Sequence, residues 1–268
     1  MKNNPHWIEF IGLPGSGKTT ISSLLVESLK KGNHNKHILS FKKAEELSLK
    51  FLLEKSSKIF YILNIIPYKL RIKIYKYIFK RKNLKKHFER NFTSENNELI
   101  KLVYSFIDNS NNKHKGLALK WFHELTSTYQ LIQSNLNEDF VVLVDEGFLN
   151  RSLSIFCYKN DEFKDKELLN YLELIPAPAF LFNIGISLDE SIRRLKARGY
   201  PIRMRNLNEF DIQKILKFLS LKIPIITNFI ECRRTSVFYL NNDKEKTNTI
   251  SQLNEASKTI SISLKNGK

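Results

Sequence analysis

Cysteine and histidine are scarce in this sequence. Two cysteines, Cys157 and Cys232, stand far apart, and the six histidines form no H-x-x-x-H pattern and no cluster with cysteine. Structural disulfides and zinc sites need such pairs and clusters. The sequence therefore predicts neither a disulfide nor a structural metal.

Long apolar runs are also missing. No run approaches the roughly 20 residues of a membrane-spanning helix, and residues 1–10 lack the charged start and apolar centre of a signal peptide. We therefore expect a cytoplasmic location. With 268 residues, 42% of them hydrophobic, the chain can form one large domain or a core with a sizeable insertion.

Acidic residues are outnumbered. Forty-four Lys and Arg against 27 Asp and Glu give a net charge of +17, which attracts phosphates, nucleic acid or an anionic membrane face. The chain is also rich in Asn, Ile and Lys, a bias that AT-rich coding produces without selection for binding. Both explanations of the basic excess remain open at this point.

Glycine is scarce too, yet it is concentrated in one short segment. Residues 12–19 read GLPGSGKT and match the pattern G-x-x-x-x-G-K-[ST]. An apolar strand, Trp7–Ile11, precedes this segment, and an amphipathic helical pattern, Thr20–Leu29, follows it. Glycines let backbone N–H groups turn toward phosphate oxygens without obstruction by a Cβ atom. The segment therefore predicts a phosphate-binding loop for a nucleoside triphosphate.

Two polar residues at the end of the loop have expected partners. Lys18 is expected to reach the β- and γ-phosphates, and Thr19 to offer its hydroxyl to Mg²⁺. The predicted ATP-binding residues are Gly12, Pro14, Gly15, Ser16, Gly17, Lys18, Thr19 and Thr20. The predicted apolar face of the following helix consists of Ile21, Leu24, Leu25 and Leu29, with Gly32 past its end.

Five β-prone runs alternate with helical patterns, which indicates a parallel sheet with crossover helices. About a hundred residues separate the second run from the third, far more than a crossover needs. We therefore predict a core of residues 1–41 and 138–268 and a helical insertion of residues 42–137. The five runs are Trp7–Ile11, His37–Phe41, Phe140–Val144, Ala179–Ile184 and Ser236–Leu240.

Two amphipathic patterns in the insertion predict helices that pack through one apolar face. The polar segment between them, residues 109–115, is predicted to be a loop. The predicted core faces are Leu99, Leu102, Val103, Phe106 and Ile107 in the first helix, and Leu117, Trp121, Leu125, Tyr129 and Ile132 in the second.

Residues 67–90 are strongly basic. Three interpretations remain open: a solvated helix that caps the insertion, a patch that docks on anionic lipid or a lipid-linked substrate, and a nucleic-acid groove. No helix-turn-helix, zinc-finger or RNA-binding pattern supports the last, so nucleic acid is not an expected partner. On a helix, the basic stripe would consist of Lys69, Lys73, Lys76 and Lys80, with Ile72, Ile74, Tyr75, Ile78 and Phe79 filling much of the rest.

The third β-prone run ends in Asp145 after four apolar residues, the Walker B arrangement in which a carboxylate approaches Mg²⁺. Ligands of open parallel sheets bind beyond the carboxyl ends of the strands. Asp145 is therefore expected to meet the phosphate-binding loop there. The predicted metal ligands are Thr19 and Asp145.

The segment from Asp145 to Arg151, DEGFLNR, resembles the acid–Arg segment of thymidylate kinase-like and deoxynucleoside kinase-like enzymes. The resemblance implies that Glu146 activates or orients an acceptor hydroxyl, with Asp145 at the metal, although the two could trade roles. It also implies that Arg151 holds phosphate oxygens.

A second stretch also resembles the P-loop nucleoside and nucleotide kinases. Ser187–Glu190 is a capping box, and the helix that it starts carries arginines up to Gly199. The resemblance implies an arginine-rich lid near residues 193–206 that places cations around the transferring phosphoryl group. The lid candidates are Arg194, Arg198, Arg203 and Arg205.

The last strand and helix extend the resemblance. It implies that the loop after the fifth strand, with Asn241 and Asn242, runs past the adenine ring. The final helix has a predicted apolar face of Ile250, Leu253 and Ile260. The implied fold is an α/β P-loop NTPase three-layer sandwich, with a five-stranded parallel sheet in the order 2-3-1-4-5 and a helical insertion.

The expected function is that of an ATP- and Mg²⁺-dependent kinase. Its acceptor would be the hydroxyl or phosphate of a nucleoside- or nucleotide-like molecule or of a sugar or glycan precursor. The insertion departs from the thymidylate kinase pattern, so the acceptor stays open, as does a peripheral position at the inner membrane face. The alternative is an ATP-switched protein that docks on a membrane or partner through its basic helix, but lid arginines favour the enzyme. A sulfotransferase is disfavoured because those enzymes bind a nucleotide without a γ-phosphate and usually lack the Gly-Lys-Thr ending.

Overall fold

The computed structural model describes residues 4–32, 34–54, 66–81, 83–108, 114–156, 165–243 and 246–266. Cys157 and residues 109–113 of the predicted loop lie outside these ranges. Cys232 is an exposed free thiol. Within the described ranges, no helix is both long and apolar enough to cross a membrane.

The centre of the fold is a five-stranded sheet. Its strands are β1 His6–Ile11, β2 His37–Ser40, β3 Phe140–Val144, β4 Phe180–Gly185 and β5 Ser236–Asn241. All neighbours run parallel in the order β2-β3-β1-β4-β5, as predicted. The second strand is one residue shorter than predicted because a helix begins directly at Phe41.

Helices cover both faces of this sheet. In the described residues they are α1 Lys18–Lys30, α2 Phe41–Glu54, α3 Tyr68–Arg81, α4 Leu84–Glu95, α5 Asn97–Asp108, α6 Lys115–Asn135, α7 Phe148–Phe156, α8 Asp165–Leu174, α9 Leu188–Arg198, α10 Glu209–Cys232 and α11 Lys246–Lys265.

The alternation of side chains along β1 separates two cores. Ile8 and Phe10 face a smaller core that is closed by α1 and α11. Trp7 and Ile11 face a larger core that includes buried side chains from α2 and α4 to α10. The result is the expected three-layer sandwich. Because helices from residues 42–137 share the larger core with β1, the boundary between core and insertion stays a prediction.

The basic segment forms two helices rather than one. They are separated at Asn83, whose φ of 53° is left-handed. Tyr75 and Phe79 of α3 are buried in a cluster with residues of α2, α4 and α6. Lys73 is exposed, and the side chains of Lys69, Lys76 and Lys80 lie outside the described structure. Tyr75 and Phe79 are used for packing, which favours the interpretation of a helix that caps the insertion, although Leu70 and Tyr77 of the same helix are exposed.

Some residues predicted on buried faces are in contact with solvent instead, and three of them lie beside the phosphate-binding loop. Leu24 is 38% exposed, Ile250 is 48% exposed, and Trp121 is only half-buried. All three line cavities beside the phosphate-binding loop. A periodic pattern identifies an apolar face but does not show whether that face packs in the core or lines a cleft.

Candidate active site

The loop between β1 and α1 has the geometry that its glycines permit. Gly15 and Gly17 have φ values of 88° and 90°, in the left-handed region. A Cβ atom on Gly17 would lie 2.5 Å from Nδ2 of Asn242, so the Asn242 side chain would have to shift, and the positive φ would strain any other residue. The chain then enters α1 at Lys18, and the free N–H groups of its first turn point to the space in which an anion binds.

Lys18 lies folded back over the loop. Its Nζ donates to the carbonyl oxygens of Gly12 at 2.8 Å and Leu13 at 3.2 Å. The pKa of Lys18 is lowered to about 8, mainly by burial and to a smaller extent by the nearby Arg198, while Glu146 and Asp145 oppose the shift. Phosphate oxygens would favour the charged ammonium. Lys18 is therefore placed to exchange carbonyl partners for a bound polyphosphate.

Thr19 and Asp145 lie side by side, as predicted for the Mg²⁺ ligands. The Thr19 hydroxyl donates to Oδ2 of Asp145 at 2.7 Å, which joins the start of α1 to the end of β3. The described part of the chain has no cluster of three or more His, Cys, Asp or Glu for a dedicated metal site. Mg²⁺ needs none, because it usually binds one or two carboxylates together with water and substrate phosphates. The Thr19–Asp145 pair fits that requirement.

The turn from β3 into α7 carries three further polar side chains. Glu146 is exposed for 63% of its side chain and accepts from Nη2 of Arg151 at 3.1 Å. Asn150, which sequence analysis missed, donates to the carbonyl oxygens of Phe10 and Asp145. It thereby fixes the start of α7 to the end of β1. The only sequence indication was its position inside the acid–Arg segment.

Two arginines lie over the ring of Trp121. The guanidinium carbon of Arg151 is 5.3 Å from the ring centroid, and that of Arg203 is 4.7 Å away. Arg203 is 3% exposed and donates to the Ser154 carbonyl oxygen at 2.5 Å. Such cation–π contacts hold guanidinium groups in fixed positions. Trp121, predicted as a core residue, instead provides the ring on which Arg151 and Arg203 lie.

These groups enclose a cavity of about 340 Å³. The phosphate-binding loop forms one side of it. The lining also includes Trp121, Glu146, Asn150, Arg151, Arg198 and Arg203, together with apolar side chains such as Leu153, Ile202 and Leu219.

A larger cleft of about 750 Å³ lies on the other side of the same loop. Its walls combine exposed apolar side chains, Leu24 and Ile250, with polar groups from α9 and the loop after β5. Asn242 donates from Nδ2 to the Ser16 carbonyl oxygen at 2.7 Å. Asn241, predicted near the base, does not line the cleft; its side chain accepts from the Asp243 N–H at 3.0 Å. Of the two asparagines predicted near the base, Asn242 is the one that lines the cleft, because its side chain turns toward the loop.

The four lid candidates separate in the structure. Arg203 lines the smaller cavity, and the exposed Arg198 lines both. Arg194 lines only the larger cleft, where its Nη2 donates to the Asn242 and Asp243 carbonyl oxygens at 2.7 and 3.2 Å. Arg205 lines neither and donates to the Tyr200 carbonyl oxygen. The helix ends at Arg198, before Gly199, whose φ is 88°, and in the loop that follows Arg203 is buried and Arg205 is exposed.

The predicted capping box is only half formed. Ser187 Oγ accepts from the Glu190 N–H at 3.3 Å, but Glu190 does not reach back to Ser187. Its carboxylate instead accepts from Arg193 at 2.6 Å and from Arg194 at 2.7 Å. Hydrogen bonds from these two guanidinium groups lower the pKa of Glu190 to about 2. Glu190 thus orients Arg194 in the cleft.

No family model and no curated protein matches this sequence. Solved structures of similar fold include thymidylate kinase from Candida albicans, with 14% identity, a TM-score of 0.43, and coverage of 99% of this chain and 94% of that one. Deoxyadenosine kinase from M. mycoides with bound dATP has 13% identity, a TM-score of 0.43, and coverages of 94% and 98%. Shikimate kinase from Bacteroides thetaiotaomicron has 11% identity, a TM-score of 0.37, and coverages of 95% and 98%.

Similarities this low assign no residue a role, so the classification rests on the molecule itself. The five parallel strands follow the order β2-β3-β1-β4-β5, and the phosphate-binding loop follows the central strand β1. Together these features give the chain the fold of the P-loop nucleotide kinases.

Proposed function

We propose that this protein is an ATP- and Mg²⁺-dependent kinase that transfers the γ-phosphoryl group to a small acceptor molecule. One observation carries the proposal: two cavities meet at the phosphate-binding loop, and Gly15, Gly17, Thr20 and Arg198 line both. A protein that only binds a nucleotide needs one such cavity. A kinase needs two, with the transferring group between them.

In this proposal, the nucleobase occupies the larger cleft. Leu24 and Ile250 offer apolar surface to the ring, and the guanidinium plane of Arg194 is held still by Glu190 and two carbonyl groups. Nucleotide sites commonly combine apolar walls with a few fixed polar groups.

The triphosphate then extends along the loop toward the smaller cavity. Loop N–H groups and the first turn of α1 receive its oxygens, and Lys18 reaches them from its position above the loop. Thr19 and Asp145 would hold Mg²⁺, which neutralises charge on the phosphates during transfer. Because Asp145 already bonds Thr19, we assign Asp145 to the metal and Glu146 to the acceptor.

The acceptor occupies the smaller cavity. Glu146, at its edge, would orient the attacking hydroxyl, while Arg151, Arg198 and Arg203 would stabilise charge on the equatorial oxygens. A cavity of about 340 Å³ that also admits the γ-phosphoryl group leaves room only for a small acceptor. A nucleoside or nucleotide and a sugar or glycan precursor remain the candidate classes.

The test is ATP consumption by purified protein with Mg²⁺ and separate pools of nucleosides, nucleoside monophosphates, sugars and glycolipid precursors. Stimulation by one pool supports the kinase and identifies the acceptor class. Tight ATP binding without stimulation by any pool contradicts it and favours the ATP-switched binding protein. Tyr75 and Phe79 of α3 are buried and not available for docking, which speaks against that alternative, whereas Leu70 and Tyr77 of the same helix are 52% and 60% exposed.

The nucleobase assignment predicts that replacing Ile250 with Asp weakens ATP binding about tenfold. The substitution removes apolar contact worth roughly 1–2 kcal/mol and places a negative charge in the cleft. Ile262→Asp is the matched control, since Ile262 is an exposed isoleucine of the same helix outside the cleft. Calorimetric titration with ATP gives both dissociation constants. Equal affinities of the two variants for ATP would show that the nucleobase does not bind in this cleft.

A further inference from the structure

A carboxylate lies where β1 should be apolar. Glu9 stands between Trp7 and Ile11 on the same face of the strand and is only 3% exposed. Both neighbours belong to the larger core. Burying a carboxylate among apolar side chains is costly unless hydrogen bonds compensate for the lost water. Sequence analysis gave Glu9 no role.

The compensation comes from the start of α7. Glu9 Oε1 accepts from the Phe148 N–H at 3.2 Å, and Oε2 accepts from the Leu149 N–H at 3.0 Å. These are among the N–H groups that a helix leaves free at its first turn, and a side chain just before the helix normally receives them. Here that neighbour is Gly147, and a Cβ atom on it would lie 2.4 Å from the Glu9 carboxyl carbon. Glu9 therefore caps α7 from β1, whereas the strand that leads into α7 along the chain is β3.

The helix that Glu9 caps carries the proposed acceptor-side groups. Glu146 lies two residues before the start of this helix, and Arg151 lies within its first turn and pairs with Glu146 at 3.1 Å. Asn150 ties the same segment to the Phe10 carbonyl oxygen. Two side-chain connections to β1 thus fix this segment relative to the phosphate-binding loop, which continues from that strand.

The groups around Glu9 make this arrangement costly for the fold. Tyr129 of α6 and Tyr171 of α8 face it, and in the described structure Glu9 forms no ion pair. Burial raises the pKa of Glu9 to about 7, although the two backbone N–H groups oppose the shift. Stability therefore falls as pH rises from about 4.5 to about 7, because in this range Glu9 is ionised in the unfolded chain but still largely protonated in the folded protein.

We propose that Glu9 is a positioning residue that holds the start of α7, and with it Glu146 and Arg151, in the arrangement needed for phosphoryl transfer. This inference rests on the proposed kinase function. It explains why a buried acid occupies a core position of β1: stability is given up for the position of two polar side chains above the loop.

The test compares Glu9→Gln with the wild type. Glutamine has nearly the same shape but turns an N–H donor toward one of the two backbone N–H groups. We expect kcat to fall about 10- to 100-fold, because small displacements of reacting groups have effects of that size. ATP affinity should change less than about twofold. Amide hydrogen exchange at Phe148 and Leu149 should become about tenfold faster.

Melting temperature separates positioning from a purely structural role. At pH 8 the ionised Glu9 destabilises the wild type, so the melting temperature of Glu9→Gln is expected to be no lower than that of the wild type. The difference in melting temperature between the variant and the wild type should become smaller toward pH 6, where Glu9 of the wild type is largely protonated. The control is Glu46→Gln, because Glu46 is also a buried acid but lies in α2 and pairs with Lys43. A lower melting temperature at pH 8, with turnover and ATP binding lost together, would show a structural role only.

Two other results would overturn the inference: wild-type exchange at Phe148 and Leu149 in the folded variant, or unchanged kcat. If Glu9→Gln does not fold, hydrogen exchange in the wild type tests the inference instead. The ionised carboxylate is the better acceptor, so after correction for intrinsic rates the Phe148 and Leu149 amides should be less protected at pH 6 than at pH 8. If the wild type lacks acceptor-stimulated turnover, the proposed function fails, and the exchange data alone decide whether Glu9 holds α7.

Discussion

Replacing Lys18 with alanine is expected to lower acceptor-stimulated turnover by about 10²- to 10³-fold, the typical effect of removing one group that stabilises transition-state charge. Lys18 lies over the loop with its Nζ on the Gly12 and Leu13 carbonyl oxygens, where β- and γ-phosphate oxygens would compete for it. ATP affinity should fall as well, because the ammonium contacts the phosphates before and during transfer. Steady-state kinetics and calorimetric titration measure the two effects separately.

The Lys18→Ala variant should fold. The pKa of Lys18 is lowered to about 8 from its ordinary 10.5, so below pH 8 the charged ammonium is less favourable in the folded protein than in the unfolded chain. Its removal should therefore not lower the melting temperature of the nucleotide-free protein on electrostatic grounds. Lys30→Ala, at the exposed end of the same helix, is the matched control. Intact ATP binding and turnover in Lys18→Ala would refute the central assignment.

Replacing Glu146 with glutamine is expected to lower kcat by about 10²- to 10⁴-fold, the usual contribution of a positioned general base. ATP affinity should stay within about twofold, because Asp145 rather than Glu146 bonds Thr19 beside the loop. The amide keeps the shape of the side chain and can still contact Arg151, so the loss reports on the carboxylate charge. Rapid-quench measurement of a single turnover separates the chemical step from product release.

Two comparisons make the Glu146 result decisive. Glu138→Gln is the control, since Glu138 is an exposed acid just before β3, whereas Glu146 follows its other end. Asp145→Asn should instead weaken the Mg²⁺ dependence of turnover. If Glu146→Gln abolishes ATP affinity while the response to acceptor persists, the two acids have exchanged roles.

Much of the fold was predictable because its determinants are local. The G-x-x-x-x-G-K-[ST] pattern specifies a loop through glycine geometry, and the β-prone runs predicted the five strands to within one residue at each end. The sheet order followed from the resemblance and is confirmed. The pairing of Thr19 with Asp145 was also predictable, because parallel strands bring their carboxyl ends to one edge.

Other features depend on contacts between distant parts of the chain. Trp121 has the periodicity of a core residue, and only the approach of Arg151 and Arg203 turns its ring into a wall of the cavity. The lid arginines looked equivalent, yet Arg203 is buried and lines the smaller cavity, whereas Arg205 is exposed and does not line it. Similarly, the choice between Asn241 and Asn242 depended on which side chain turns toward Ser16.

The sequence by itself determined the phosphate-binding loop, the alternation of strands and helices, and the acids that follow β3, because each is encoded by neighbouring residues. Only the tertiary structure decided which side chains enclose the acceptor cavity and what Glu9 does. Its two hydrogen bonds reach residues 139 and 140 positions further along the chain. A contact of that separation leaves no periodic trace in the sequence, since it exists only once β1 and α7 have packed together.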